Sequence, residues 1–418
     1  MRRPCALAST HACSTTLLRP ATARTGRSFR TPSPSLRWPR ERASDPSTTD
    51  HVYDAVVIGG GAAGVGVAVA LSDAGIENFL VLERRTVGAS FASWPAETRF
   101  ITPSFPTNSI GMLDLNSVAI GTSAAYTMKV EHPTGREYAA FLKATATHFE
   151  LPIREHTDVT SIARQGDEFA IETADGTVRA RHVIWAAGDF QYPRLNGFAG
   201  STLCRHTATI PSYAELDGDD FIVIGGYESG VDVAYHLAKR GKHVRLFDRG
   251  NPWESKSSDP SVALSTYSLE RTRRTAFAEH VELIPDSPVE SVVQLDSNYE
   301  VVTRDGCQFY TPAPPLLAGG FEGSHTLVSD LFEQREDGFP LLNEHDESTL
   351  VPGIFLCGAA VRHDNLVFCF IYKYRQRFAV VAKAIATSLG LPAEDLEMYR
   401  MWGMYLDDLS CCGQECAC

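Results

Sequence analysis

Four cysteines lie close together at the C-terminal end of the chain, in the stretch LSCCGQECAC. Neighbouring thiols exchange disulfides with a partner, and their thiolates bind soft ions such as Cu(I) or Zn(II). The pattern predicts a redox relay or a metal or metalloid site, with an inert solvated tail as the remaining alternative. The cysteines concerned are Cys411, Cys412, Cys416 and Cys418.

The glycines of YDAVVIGGGAAGVGVAVAL indicate a different chemistry, because they fit G-x-G-x-x-G directly after an apolar strand. Gly59 allows a tight turn, Gly61 lets the backbone approach a pyrophosphate, and Gly64 permits close packing of a helix on the strand. The N-terminal N–H groups of that helix then face the anion. Glu83 ends the next strand, where a carboxylate accepts a hydrogen bond from a ribose hydroxyl. The stretch predicts a dinucleotide site.

The same pattern recurs in DDFIVIGGYESGVDVAYHLAKRGKHVRLFDRG. Gly225 and Gly230 hold the outer glycine positions and Asp248 ends the second strand. Tyr227 replaces the middle glycine and crowds the approach of a pyrophosphate, which leaves a purely structural unit as the alternative. Asp248 favours a free ribose 2′-hydroxyl and the adjacent Arg249 suits a 2′-phosphate, so NADH and NADPH both stay open.

The elements that must position these loops are repeated along the chain. Each βαβ unit is followed by short strands around a DG turn, and these end in a small-residue segment, WAAGDF or LLAGGF. Two dinucleotide sites indicate a flavin and the nicotinamide that reduces it, because hydride transfer requires both rings to be held face to face. We therefore expect an α/β fold with two Rossmann-like FAD/NAD(P)-binding domains, the NAD(P) domain inserted in the FAD domain, each with a small β-meander.

A third segment, VPGIFLCGAAVRHDNLVFCFIYKYRQRFAVVAKAIATSLG, predicts a strand at 353–357, a turn at Gly358 and a long helix. The helix is expected to begin after Asn365 and to end near Gly390. Its N-terminal dipole could stabilise a reduced flavin, and an ordinary strand and helix closing the sheet is the alternative. The expected divisions are a head at 1–50, the FAD-binding domain at 51–200 and 321–400, the NAD(P)-binding domain at 201–320, and a Cys-rich tail at 401–418.

The charge of the chain is uneven. Its 418 residues carry a formal net charge of −13, but residues 1–50 hold nine arginines and three acids, a balance of +6 that leaves −19 for the rest. An acidic body argues against nucleic-acid and anionic-membrane partners. The sequence has no run of about 18 apolar residues, which a membrane-spanning helix would require. The Arg/Ser/Thr-rich head is expected to be disordered or to be a transit peptide. The predicted location is cytoplasmic or, with a transit peptide, an organelle stroma or matrix.

Together these residues resemble the two-dinucleotide-binding flavoproteins, the class that contains flavin-containing and Baeyer–Villiger monooxygenases, thioredoxin reductases and bacillithiol-disulfide-reductase-like enzymes. The resemblance spans about residues 51–395 and rests on GGGAAG with Glu83, WAAGDFQYP, GGYESG and GIFLCG. It implies FAD and NAD(P)H as cofactors, a small-molecule or thiol/disulfide substrate, and a homodimer as one possible assembly. The implied site residues are Gly59, Gly61, Gly64, Glu83, Trp94, Arg99, Thr102, Gly188, Gly358 and Asp364 for FAD, and Gly225, Gly230, Asp248 and Arg249 for NAD(P).

The chain also departs from these relatives. Thioredoxin reductases carry C-x-x-C in the nicotinamide domain and glutathione-reductase relatives carry C-x4-C on the first FAD-side helix, and neither motif is in place here. The stretch GFAGSTLCRHTATIP lacks the spacing and the tryptophan of the Baeyer–Villiger motif. The closing G-D of many relatives is Gly358-Ala359, so Asp364 is the candidate to replace that aspartate.

The favoured function is an FAD-dependent oxidoreductase that takes hydride from NAD(P)H and is monooxygenase-like in its motifs, because WAAGDFQYP resembles the link of those enzymes. The first alternative is an NAD(P)H-dependent disulfide or thiol reductase that uses the C-terminal cysteines as a redox relay. Cys369, at the head of the closing helix, could partner that tail only if the fold exposes it beside the flavin. The second alternative, supported by Tyr227, is a non-catalytic nucleotide- or soft-metal-binding protein.

Overall fold

The computed structural model describes residues 51–106, 112–257, 259 and 261–411, with Cys411 described by its backbone alone. These residues lie in one compact unit, Thr48–Cys418. The predicted head at 1–50 and the tail residues Cys412, Cys416 and Cys418 lie outside the described residues. None of the described helices has the length and apolarity that crossing a membrane requires.

Strands and helices alternate along most of the described chain. The strands are β1 (Val52–Ile58), β2 (Phe79–Leu82), β3 (Ile153–Arg154), β4 (Val159–Gln165), β5 (Glu168–Thr173), β6 (Gly176–Trp185), β7 (Arg205–His206), β8 (Asp220–Ile224), β9 (His243–Phe247), β10 (Val281–Ile284), β11 (Val289–Gln294), β12 (Tyr299–Thr303), β13 (Gln308–Thr311), β14 (Leu316–Leu317), β15 (Ile354–Leu356), β16 (Arg362–His363) and β17 (Leu366–Val367). The α-helices are α1 (Ala62–Asp73), α2 (Ala89–Ala92), α3 (Ala124–Met128), α4 (Gly135–His148), α5 (Glu228–Ala238), α6 (Thr266–Thr272), α7 (Thr275–His280), α8 (Ile371–Tyr374), α9 (Phe378–Ser388) and α10 (Met398–Met401). Short 3-10 turns lie at Ser201–Leu203, Thr207–Thr209, Tyr213–Glu215, Pro252–Glu254, Ser324–Leu331, Arg375–Arg377, Glu394–Glu397 and Leu409–Cys411.

The first sheet has the strand order β3-β2-β1-β6-β5-β4. β1, β2, β3 and β6 run parallel, whereas β4, β5 and the first half of β6 form an antiparallel meander. β15 pairs with the second half of β6, with Ile354 opposite Val183. The runs AVVI of β1 and FLVL of β2 are buried, as parallel strands covered on both faces require.

Helix α1 is buried over ten successive residues from Ala62 to Leu71, which explains its apolar composition. It contacts α4 and α9. Gly66 is required where α1 meets α9, because a Cβ on it would lie 2.0 Å from Cε2 of Phe378. This close packing holds the N-terminal end of α1 in place at the sheet.

The second sheet is parallel and has the order β10-β9-β8-β14-β7, with α5 packed against β9. Strands β11, β12 and β13 form a separate antiparallel meander. All of these strands lie between β6 and β15 in the chain, and β15 then returns to the first sheet. The predicted fold is confirmed, because a second Rossmann-like unit is inserted in the first and each has a meander.

The closing segment differs from the expected single helix that begins after Asn365. β16 and β17 form a short hairpin there, with Asp364 at the turn in the left-handed region, at φ +47°. The hairpin is anchored from a distant loop, because Nε2 of His363 lies 2.5 Å from Oδ1 of Asp346. Helical structure therefore begins only at Ile371.

Glu97, in the loop after α2, connects the first unit to the second. Its carboxylate accepts hydrogen bonds from Ser212 Oγ (2.8 Å) and from the N–H groups of Tyr213 and Ala214 (both 3.0 Å), and it pairs with Arg240 at 3.1 Å. Burial raises the pKa of Glu97, but the hydrogen bonds outweigh that effect and hold the pKa below its ordinary value. The ionised carboxylate is thus a structural link between the two units.

Glu97→Gln is expected to lower the free energy of unfolding at pH 7 by about 1–3 kcal/mol, because the hydrogen bonds lose their charged acceptor. Since the pKa is lower in the folded protein, this stabilisation is present above the unfolded pKa of about 4.3 and is lost as pH falls through the folded pKa. Urea unfolding should therefore show a difference between wild type and variant that shrinks below about pH 4. Glu336→Gln, at an exposed position, is the control and should show no pH-dependent difference.

Candidate active site

The first glycine loop makes the close approaches that its sequence predicts. Gly59 has a φ of +110°, and a Cβ on it would lie 2.6 Å from the carbonyl oxygen of Ala186. A Cβ on Gly64 would lie 1.8 Å from the carbonyl oxygen of Gly59, so α1 approaches the end of β1 at a distance that only glycine permits. The loop thereby places the N-terminus of α1 at the carboxyl edge of the sheet.

Gly61 differs from these two glycines, because a Cβ on it would meet no protein atom within 4 Å. Open space at the N-terminus of a 12-residue helix that has no side-chain cap suits a pyrophosphate. Glu83 closes the loop, since its Oε2 accepts from the N–H of Gly60 (2.6 Å) and its Oε1 from the N–H of Arg85 (2.8 Å). These residues fit the dinucleotide FAD.

A groove of about 710 Å³ begins at this loop and follows the carboxyl ends of β1, β2, β6 and β15. Its volume lies within the range of about 300–1,000 Å³ that is usual for ligand sites. Trp94, Gly188 and Gly358, which the sequence assigned to FAD, line it together with the first glycine loop. Asp364 does not line it, because it lies on the exposed turn of the hairpin, where its carbonyl accepts from Arg335 at 2.8 Å.

The second glycine loop repeats the geometry of the first. A Cβ on Gly230 would lie 1.8 Å from the carbonyl oxygen of Gly225, the same distance as at the corresponding pair in the first loop. Oδ2 of Asp248 accepts from the N–H of Gly226 (2.7 Å) and its Oδ1 from the N–H of Gly250 (2.8 Å). The acid at the end of the second strand therefore holds the loop in both units.

Tyr227 has almost the same backbone conformation as Gly61, with φ −81° and ψ −164° against φ −83° and ψ −167°. The tyrosine therefore introduces no backbone strain. Its side chain is 44% exposed, and its hydroxyl donates to the carbonyl of Val262 at 3.2 Å. Arg249 is exposed directly beside Asp248, at the rim of the same loop.

A second cavity of about 320 Å³ adjoins the groove and is lined by residues of both units. Trp94 lies in its wall, and the centroid of its ring lies 5.0 Å from that of Phe100 and 5.9 Å from that of Phe190. Arg99 and Thr102, which the sequence assigned to FAD, line this cavity and not the groove. The aromatic lining consists of Phe91, Trp94, Phe100, Phe190, Tyr213, Phe321, Phe370 and Tyr374.

Two acids on α5 form the wall that the second unit contributes. Asp232 pairs with Arg271 and accepts from Oγ1 of Thr98 at 2.7 Å. Glu228 accepts from the hydroxyl of Ser265 at 3.1 Å, and burial raises the pKa of its carboxyl. Both acids already have partners in the protein, so we assign them to holding the wall.

Asn116 also lines the second cavity and was missed by the sequence interpretation. Its Nδ2 donates to the carbonyl of Thr102 (2.9 Å) and to Oγ of Ser104 (2.8 Å). The side chain is 1% exposed, and its Oδ1 has no hydrogen-bond partner among the described residues. A buried acceptor without a partner is costly and indicates a ligand that donates to it.

The groove and the second cavity share one stretch of wall, to which Asp189 and Cys369 both contribute. Asp189 directly follows Gly188, and burial raises the pKa of its carboxyl. An acid after the glycine of WAAGDF was the available sequence signal for it. Cys369 lines the groove predicted to bind the flavin. This position is the condition under which the sequence allowed Cys369 to partner the C-terminal cysteines.

The thiol of Cys369 is held by a chain of polar contacts. It donates to Oγ of Ser261 (3.2 Å), which also accepts from Nζ of Lys373 (2.8 Å), and Lys373 pairs with Asp259 at 3.0 Å. Burial raises the pKa of Cys369, while the contact with Ser261 and the charges of Lys373 and Arg362 oppose that rise. Cys369 is partly exposed, whereas Cys204 and Cys357 are buried.

Three of the C-terminal cysteines lie outside the described residues, and the side chain of Cys411 is not described. Their redox or metal-binding role stays a prediction. Within the described part of the chain, no group of three or more His, Cys, Asp or Glu side chains could hold a metal ion.

Known proteins share the sequence pattern and the fold of this chain. Bacilliredoxin reductase Bdr of Bacillus subtilis is 27% identical over 336 residues, which are 79% of this chain and 97% of that protein. The bacillithiol disulfide reductase Bdr (YpdA) structure from Bacillus cereus is 21% identical and covers 81% of this chain and 100% of that chain, with a TM-score of 0.65. A flavin monooxygenase variant from Stenotrophomonas maltophilia is 17% identical and covers 81% of this chain and 99% of that chain, with a TM-score of 0.61. These two structures share the fold.

The sequence profile of the pyridine nucleotide-disulphide oxidoreductases matches residues 56–358. This range contains both glycine loops, both meanders and the closing strand β15. The resemblance inferred from the sequence motifs is thereby confirmed. The chain belongs to the pyridine nucleotide-disulphide oxidoreductase family and is an FAD-dependent enzyme that takes hydride from NAD(P)H.

Proposed function

We propose that this enzyme is an NAD(P)H-dependent reductase of small disulfides. The proposal rests on the position of Cys369, which lines both the groove and the second cavity. FAD accepts hydride from NAD(P)H and passes two electrons to a substrate. A disulfide in the second cavity would lie beside the groove that supplies the electrons and beside a thiol that can exchange with it.

The groove residues have separate tasks in this proposal. The N-terminus of α1 receives the pyrophosphate and Glu83 the ribose, while Trp94 separates the groove from the aromatic cavity. NAD(P)H binds at the second glycine loop, where Tyr227 takes the position that Gly61 holds in the first loop. The proposed FAD residues are Gly59, Gly61, Gly64, Glu83, Trp94, Gly188 and Gly358, and the proposed NAD(P)H residues are Gly225, Gly230, Asp248 and Arg249.

The relatives support a disulfide as the substrate class. The Bacillus subtilis relative, of which the match covers 97%, is named a bacilliredoxin reductase. The Bacillus cereus structure is named a bacillithiol disulfide reductase. The present chain lacks C-x-x-C in the nicotinamide domain and C-x4-C on the first FAD-side helix. Cys357 and Cys369 both line the groove, and of these two only Cys369 also lines the second cavity and is partly exposed, so it is the candidate thiol.

A monooxygenase is the second candidate, and the aromatic lining of the second cavity favours it. Ring contacts such as Phe190–Phe321 (5.2 Å) and Phe91–Trp94 (5.3 Å) line part of the cavity with apolar surface. Oxygen transfer from a flavin requires a site that excludes water, and an aromatic wall suits that reaction as well as disulfide reduction. The two candidates differ in their electron acceptor, which is oxygen in one case and a disulfide in the other.

The test measures NAD(P)H consumption and thiol release without oxygen, with cystine or glutathione disulfide as the acceptor. The proposal predicts two thiols released for each NAD(P)H consumed, and NADH and NADPH are compared in parallel to identify the donor. Consumption that requires oxygen and releases no thiol from either disulfide would contradict the proposal and favour the monooxygenase.

A further inference from the structure

The wall shared by the two cavities contains an arrangement that the family profile does not cover, because the profile ends at residue 358. Cys369 lies beyond it, in the segment between the β16–β17 hairpin and α8. Its Sγ donates to Ser261 Oγ, and that oxygen also accepts from the ammonium of Lys373. The hydroxyl is therefore polarised by a cation on one side and faces a thiol on the other, so it can stabilise negative charge that develops on sulfur.

The second cavity carries independent signs of a ligand beside this thiol. Oδ1 of Asn116 is buried and has no partner among the described residues, so the cavity lacks a hydrogen-bond donor that a ligand would supply. Arg99 adds a cation to the lining of the second cavity. Asp189 lines both the second cavity and the groove. An amine or amide N–H suits Asn116 and a carboxylate suits Arg99.

We propose that Cys369 is the thiol that opens the substrate disulfide, and that the substrate belongs to the class of small cysteine-derived disulfides that carry amine or amide and carboxylate groups. The assignment rests on the function proposed above. It uses neither the C-terminal cysteines nor the glycine-loop and helix positions at which the relatives carry cysteine pairs.

The reaction balances in two steps. In the first, Cys369–SH and R–S–S–R form Cys369–S–S–R and RSH, so one S–S bond breaks, another forms, and the thiol proton ends on the departing sulfur. In the second, Cys369–S–S–R, NAD(P)H and a proton form Cys369–SH, RSH and NAD(P)⁺. NAD(P)H supplies both electrons, as the established activity of the family requires.

The experiment uses the full chain and follows both the covalent adduct and turnover. Wild-type protein is treated with glutathione disulfide or cystine without NAD(P)H, alkylated, digested and mapped by mass spectrometry. We expect the peptide that contains Cys369 to carry one thiol of the disulfide as a mixed disulfide. Addition of NAD(P)H should remove this adduct. Cys369→Ser should lack this adduct and should reduce disulfide at least about 100-fold more slowly, a loss typical of removing a covalent nucleophile.

The controls separate a specific loss from misfolding and from the tail. NAD(P)H should still bleach the flavin of Cys369→Ser, and Cys369→Ala should behave as the serine variant does. Cys307→Ser changes an exposed cysteine outside both cavities and should retain adduct and turnover. A full chain with all four C-terminal cysteines changed to serine should also retain both.

The outcomes distinguish failure of the thiol assignment from failure of the proposed function. Disulfide reduction at the wild-type rate by Cys369→Ser, or an adduct that maps to another cysteine, would overturn the assignment of the thiol and leave the reductase function standing. A wild-type adduct at Cys369 without NAD(P)H-dependent turnover would overturn the proposed function. Absence of both adduct and turnover would overturn both.

Discussion

Replacing Gly61 by alanine is expected to leave the protein folded and to remove most of its FAD. The added methyl group would meet no protein atom within 4 Å, and the φ of −83° is ordinary for alanine. In the proposed complex the same methyl group would occupy the space of the pyrophosphate at the N-terminus of α1. We expect FAD affinity to fall about 10- to 100-fold, the effect of losing hydrogen bonds to a charged group.

Two further glycines serve as controls, and flavin absorbance per chain and the melting temperature are the measurements. Gly64→Ala should lose both FAD and stability, because its Cβ would lie 1.8 Å from the carbonyl oxygen of Gly59. Gly197→Ala adds a methyl group in open space away from the groove and should change neither quantity. Retention of wild-type FAD by Gly61→Ala would contradict the proposed position of the pyrophosphate.

Asp346→Ala is expected to destabilise the protein by about 3–5 kcal/mol, the usual result of leaving a buried charge without its partner. Asp346 and Arg377 are both 0% exposed. Nε and Nη2 of Arg377 donate to the carboxylate at 3.0 and 2.9 Å, and His363 lies 2.5 Å from it on the other side. The variant removes the acceptor that all of these donors share.

The same substitution should also weaken FAD binding, because the carboxylate fixes the hairpin between Gly358 and Cys369. Urea unfolding and flavin release on heating measure the two effects. Asp337→Ala is the matched control, since it breaks an exposed pair with Arg335 that is worth less than about 1 kcal/mol. Equal effects of the two variants would contradict the structural role that we assign to the buried cluster.

The glycine loops could be located from the sequence because their requirements are local. Gly59 has a positive φ, and Gly64 lies too close to the carbonyl oxygen of Gly59 for a side chain. Both positions therefore require glycine, and the sequence shows this as glycines at a fixed spacing. Tyr227 seemed from the sequence to crowd its loop. The structure shows that its backbone follows that of Gly61 while its ring extends toward Val262, a direction that spacing does not determine.

The start of the closing helix could not be located in this way. The segment after Asn365 favours a helix by composition, but His363 is fixed by Asp346 from a loop 17 residues earlier in the chain, and a hairpin results. Tertiary contacts of this kind override local preference. Asp364 was the candidate to replace the aspartate of the closing G-D, and the hairpin places it on an exposed turn.

The second cavity depended on contacts that the sequence does not contain. Asn116, Asp189 and Cys369 come from three separate segments of the chain and line one cavity in the folded protein. Arg99 and Thr102 were selected by their position after Glu83, and their lining of this cavity was not predicted. The sequence could suggest a role for Cys369 only on condition that the fold exposed it there.

Reoxidation of the reduced enzyme distinguishes a disulfide from oxygen as the electron acceptor. Protein with bound FAD is reduced without oxygen by one equivalent of NADH or NADPH and is then mixed rapidly with glutathione disulfide or cystine, or with oxygen-saturated buffer. We expect the flavin absorbance, bleached by the nicotinamide, to return on mixing with disulfide in the absence of oxygen, with release of thiol. A flavin that stays reduced with either disulfide and recovers only with oxygen would contradict the proposed function.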